Sequence, residues 1–168
     1  SLNKRSDVSD CNMLAIVILY HQNELKDSDE IVQALIDEEL EYIEGVNETK
    51  KIAKLYKTVG DNFVASFRRN EALEYYKKCL EITDDTQLIA NIYANTATAY
   101  LHSEPSIIDS ALYYSELAQD VYLNLEDKEP LAFNYNNRSQ IFKELKQYDK
   151  AIDLLLKADS LPLTRNIN

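Results

Sequence analysis

The chain has 168 residues, only two glycines and three prolines, and a formal net charge of −11. One domain of this length buries roughly 70% of its unfolded surface, and scarce Gly and Pro favour long helices over strands with tight turns. The acidic balance argues against binding a phosphate backbone, and two cysteines cannot make a disulfide framework.

The longest apolar run, Met13 to Tyr20, falls well short of the roughly 20 residues a membrane span needs. Lys4 and Arg5 precede it as in a signal peptide. Asp7 and Asp10 intervene, however, and no small-residue cleavage site follows, so the run reads as a buried helix. The chain starts at Ser1 and its one methionine is Met13, which reads as a processed product or a fragment. The compartment is left open: a soluble cytoplasmic chain is slightly favoured over an extracytoplasmic one from which a leader or a membrane span has been removed.

The predicted elements begin with a helix from about Ser9 to Leu25, a turn capped by Asp27 or Ser28, and a second helix. The second carries Ile31, Leu35, Ile36, Leu40 and Ile43 on one stripe, and Gly45 suits the residue past its end. From Glu24 to Glu48 ten acids face one base, Lys26, so this segment carries −9 of the total charge. Such a run reads first as the solvated face of a helix and second as a docking face for a basic partner.

Asn47 is the next plausible cap, and six further helices pair off: about 48–66 with 70–83, 86–102 with 107–125, and 130–145 with 149–160. The turns inside these pairs are short and polar, at Arg69-Asn70, Ser103 to Ser106, and Lys146 to Tyr148. Short links make antiparallel neighbours. No window alternates with a period of two, so no sheet is predicted.

Ala72, Ala111 and Ala151 recur 39 and 40 residues apart, and Tyr56, Tyr93 and Tyr135 precede them by 16, 18 and 16 residues. A period near 40 is the mark of stacked helical hairpins. The first unit reads Tyr56, Val59, Gly60, Phe63, then Ala72, Tyr76, Cys79. The second reads Tyr93, Thr96, Ala97, Tyr100, then Ala111, Ser115, Ala118, with two extra residues near Pro105. The third reads Tyr135, Arg138, Ser139, Phe142, then Ala151, Leu155, Ala158.

This order of aromatic, apolar, small and aromatic residues, then alanine, aromatic and small, resembles the tetratricopeptide repeat. Three repeats are expected, at about 53–86, 90–125 and 132–165, within a single domain of residues 1–168. Thr96, Ser115 and Arg138 depart from the pattern, as do Asp84 and Pro162 where a proline usually closes a repeat. The resemblance implies an all-α fold of about eight helices in a right-handed superhelical stack of antiparallel hairpins. Residues 1–46 then form a capping hairpin or a degenerate repeat. Setting Ala34 on the alanine position would put Glu38 and Glu41 where an aromatic and a small residue belong.

Small residues let two helix axes approach, Ala72 being placed to face Gly60, and the tyrosines are read as wedges between successive hairpins. The chain runs out at Leu161-Pro162-Leu163 without a polar terminal helix, which leaves the last hairpin for a continuing chain or for a homodimer. A charge at Leu154 or Leu156 is expected to break such a dimer.

The resemblance also implies a concave groove that binds a peptide or partner protein through the first helix of each hairpin. Carried over by position, its residues are Lys54, Lys57, Asp61 and Val64; Asn91, Ala94, Asn95, Thr98, Leu101 and His102; and Phe133, Asn136, Asn137, Gln140 and Lys143. The face is rich in amides, which carry the donors and acceptors a peptide backbone needs. Lys57 matches a lysine that grips a carboxylate in one branch of the family. Asp61 stands where that branch has an asparagine and would repel the anion, so that specificity is not assigned.

Catalysis, metal ligation and cofactor binding find no support. His21 and His102 lack a nucleophile or carboxylate at helical spacing, Cys11 with His21 is no metal cluster, and Gly45 and Gly60 make no phosphate loop. A non-enzymatic protein-interaction module is therefore expected. The slightly long period and the Asn-rich first helices are similar to repeat segments of bacterial signalling proteins. The alternative is thus a sensor or regulatory domain beside a kinase or a DNA-binding output domain.

Overall fold

The computed structural model describes residues 34, 36–38, 40–41 and 49–162. The predicted first helix, its caps, Gly45, Asn47, Cys11 and His21 lie outside the described residues. So do the ends of the 1–46 hairpin and most of the acidic run. Within the run, residues 34, 36–38 and 40–41 are helical, with Ile36 buried and Glu38 and Glu41 exposed. Ala34 is exposed, unlike the repeat alanines Ala72, Ala111 and Ala151.

Six helices follow: α1 (Thr49–Ala65), α2 (Arg69–Ile82), α3 (Thr86–Leu101), α4 (Ile108–Asn124), α5 (Lys128–Glu144) and α6 (Tyr148–Ser160). Each starts and stops within two residues of its sequence expectation, and no strand occurs among the described residues. Two compact units divide the chain, Ser1–Thr83 and Asp84–Asn168. In the first, α1 and α2 pack as a hairpin. In the second, α3 packs on α4 and α5 on α6, while α5 also lies against α4 and α3.

The α1–α2 crossing shows why a residue without a side chain is needed. A Cβ on Gly60 would stand 2.5 and 2.7 Å from Cε1 and Cδ1 of Tyr76, closer than carbon atoms approach. The sequence placed Ala72 across from Gly60. The fully buried Ala72 does line the crossing helix, but the ring of Tyr76 is what lies against Gly60. Tyr76 is itself buried and its hydroxyl donates to Asp61 Oδ1 at 2.8 Å.

In the second unit Ala90, Ala94, Ala118, Tyr122 and Leu131 form one cluster, drawn from α3, α4 and α5. Leu101, Ala111 and Ile141 form another from the same three helices. Residues on three helices share each core, so the third hairpin completes the burial of the second. The tyrosines do more than separate hairpins. Tyr56 meets Tyr75 and Tyr93 meets Tyr114, each at 6.0 Å between ring centroids and each inside a hairpin. Tyr93 and Tyr135 also pack on the first cluster.

Three helix ends are closed without glycine. Phe67, Glu126 and Lys146 adopt left-handed φ values of 60°, 55° and 58°. After each, the next N–H bonds back to the carbonyl five residues earlier: Arg68 to Phe63, Asp127 to Tyr122, Gln147 to Phe142. This is the Schellman closure, normally a glycine's position because L side chains crowd the backbone there. At the start of α3 the Asp85 carboxylate accepts from the Leu88 N–H at 3.0 Å.

Gly60→Ala is expected to lower stability by about 1–3 kcal/mol, since the Tyr76 ring must leave its position between helices. Urea unfolding followed by circular dichroism measures it. A wild-type midpoint would show that the crossing has room for a methyl group.

Candidate functional site

The first helices of the hairpins carry the residues expected to face a peptide. On α1, Lys54 is exposed. Lys57 and Asp61, one turn apart, form an ion pair, and Asp61 also accepts from Tyr76. Lys57 is therefore not a free cation waiting for an acidic ligand. Val64 is half-buried.

On α3, Asn91 Oδ1 accepts a hydrogen bond from the Tyr122 hydroxyl of α4 at 2.8 Å. Burial lifts the Tyr122 phenol to about 12, with Asp127 adding to the effect. Asn91 thereby satisfies a buried donor, which is a packing task. Ala94 and Leu101 are buried, Asn95 and Thr98 half-buried, and His102 exposed at the C-cap of α3.

Thr98 Oγ1 donates to the Ala94 carbonyl at 3.1 Å and accepts from Asn137 Nδ2 of α5 at 3.2 Å. That second bond joins the first helices of consecutive hairpins across 39 residues of sequence. Phe133, Asn136, Gln140 and Lys143 form an exposed stripe on α5. Ala94 and Leu101 correspond in the repeat to Asn136 and Lys143. The apolar pair is buried in the second hairpin, and the polar pair is open in the third.

Arg138 stands where the pattern calls for an apolar residue, and the structure gives the reason. Its guanidinium reaches α4, where Nη2 donates to Glu116 Oε1 at 2.9 Å and Nη1 donates to the Gln119 carboxamide. The side chain is 11% exposed, while that of Glu116 is 59% exposed. Sequence spacing marked Arg138 only as a departure, because its partners lie 19 and 22 residues away.

Other polar groups at the crossings bond to backbone carbonyls. Ser115 Oγ donates to the Leu112 carbonyl at 2.8 Å and Ser139 Oγ to the Asn136 carbonyl at 2.6 Å. Cys79 Sγ reaches the Ala53 carbonyl at 3.0 Å, and burial pushes its thiol up to about 11. The thiol is fully buried and packs inside the α1–α2 hairpin. Among the described residues, no group of three His, Cys, Asp or Glu could hold a metal ion, and no helix is long and apolar enough to cross a membrane.

Arg138→Leu is expected to change stability by less than about 1 kcal/mol, because a buried charge and its bonds give way to the apolar residue the pattern prefers. Glu116→Ala with Gln119→Ala should cost about 3 kcal/mol, by leaving the guanidinium buried without partners. Thermal melts of the two variants provide the comparison. The reverse order would mean that Arg138 is solvated in the folded state.

A comparison with curated proteins finds no match. The family profile described as Tetratricopeptide repeat matches residues 51–86 and 134–163. The first match contains most of α1 and all of α2, and the second contains most of α5 and all of α6. Tetratricopeptide repeats generally mediate protein–protein interactions and are typically non-enzymatic. With their helical hairpins and buried repeat alanines, the two matched segments are tetratricopeptide repeats carried by this chain.

Proposed function

We propose that the α3–α5 face of the second unit binds an extended peptide segment of a partner protein. The observation that carries this reading is the Asn137–Thr98 hydrogen bond, which sets the two first helices side by side. Beside it stand Asn95 and His102 on α3 and the exposed Phe133, Asn136, Gln140 and Lys143 on α5. The amides supply donors and acceptors for a peptide backbone, Lys143 a charge for an acidic group, and Phe133 an apolar contact. Asn91 contributes by holding Tyr122 rather than by touching the peptide. In the first unit the same reading assigns Lys54, Lys57 and Asp61 to peptide binding, with the last two acting as a pair.

Phe133→Ala, Asn136→Ala and Gln140→Ala together should weaken binding of peptides selected on the full chain from a random display library tenfold or more. Helical content should persist, since all three side chains are exposed. Equal binding by the triple variant would remove the face from consideration.

A second reading rests on α6, where Ile152, Leu155 and Leu156 are exposed. Of the counterparts of the two leucines on α4, Ser115 is buried and Glu116 pairs with Arg138 of α5. The open apolar side of α6 suits self-association, as in a regulatory domain of a bacterial signalling protein that works as a dimer. Leu156→Glu is then expected to shift the mass seen by light scattering from dimer to monomer. Leu154, which the sequence ranked equally, is 7% exposed and belongs to the core, so charging it tests folding instead. A wild-type monomer at high concentration would exclude this reading.

A further inference from the structure

The three hairpins differ in how they treat the aromatic rings on the side of the second helix. In the first, Arg68 lies over the Phe63 ring at 4.7 Å and Lys78 over the Tyr75 ring at 4.6 Å. In the third, Lys150 lies over the Phe142 ring at 5.3 Å. These are cation–π contacts supplied by the chain itself.

The second hairpin has the largest aromatic group and no such cation. Tyr100 stacks on Tyr114 at 5.7 Å, Tyr93 meets Tyr114 at 6.0 Å, and Tyr113 meets Tyr114 edge-on at 5.3 Å. No cation of the described residues lies over any of the four. The repeat register explains why: Lys78 corresponds to Leu117, and Lys150 corresponds to Ser110. From Asp84 to Asp127 the sequence contains eight acids and neither Lys nor Arg. Tyr113 is 58% exposed, and Asp109 and Asp120 lie one and two turns from it on the same exposed side of α4.

We infer that the tyrosine face of the second hairpin receives an arginine- or lysine-bearing segment of a partner protein. The ring faces attract a cation and the adjacent carboxylates complement its charge, while the hairpin has no base to occupy the position itself. The four rings come from α3 and α4, and none of them is among the residues proposed above to meet the peptide.

The test uses the full chain and a fluorescein-labelled octapeptide of alternating arginine and glycine, titrated by anisotropy near physiological ionic strength. Tyr113→Leu removes a ring without changing charge and should weaken binding about two- to five-fold, whereas Tyr113→Phe should retain it. Ser110→Lys restores the cation that the third hairpin carries, so it should weaken binding more than Asn124→Lys, which adds the same charge at the end of α4. Unchanged affinity in Tyr113→Leu, or equal effects of the two lysines, would overturn the inference. Either result would reduce binding to general attraction between a basic peptide and an acidic protein.

Discussion

The close crossing of two helices inside a hairpin is the constraint from which the rest follows. At the α1–α2 crossing the Tyr76 ring occupies the space a side chain on Gly60 would need. Once there, its hydroxyl meets Asp61, and Asp61 in turn holds Lys57. A packing requirement thus fixes two charges on the face where a ligand would be sought. In the second hairpin Tyr122 meets Asn91 in the same manner. The buried core and the polar face of these helices are therefore coupled through tyrosine hydroxyls.

Polar residues within the crossings avoid the cost of burial in two ways. Ser115, Ser139 and Thr98 return hydrogen bonds to their own helix, so they occupy the space of small apolar residues. Arg138 instead spans to α4 through Glu116 and Gln119. That staple and the Asn137–Thr98 bond act together with the two apolar clusters of the second unit. Apolar burial supplies the attraction, and the directional bonds fix which residues stand opposite one another.

The repeated residues account for the scaffold, and differences between repeats account for the surface chemistry. Two hairpins lay lysine or arginine over their rings, while in the second no described cation lies over any of four tyrosines. Ala94 and Leu101 become Asn136 and Lys143 in the next repeat, exchanging a buried contact for an open polar stripe. Ser115 and Glu116 become Leu155 and Leu156, exchanging a polar side for an apolar one. The binding faces proposed above rest on these exchanges.

The sequence by itself determined the helices, their pairing and the spacing of the hairpins, because a 3.6-residue apolar period and a 40-residue recurrence are properties of the chain order. It placed Gly60 at a helix crossing but gave no sign that the described left-handed turns fall to Phe67, Glu126 and Lys146. Only the tertiary structure decided which polar residues remain available for a ligand. The pattern put Asn91, Lys57 and Asp61 on one polar face and marked Arg138 only as a departure. Their roles depend on partners: Tyr122 lies 31 residues from Asn91, Tyr76 lies 15 from Asp61, and Glu116 lies 22 from Arg138. The period of one helix carries no information about a donor on the next, so those assignments exist only once the helices are packed.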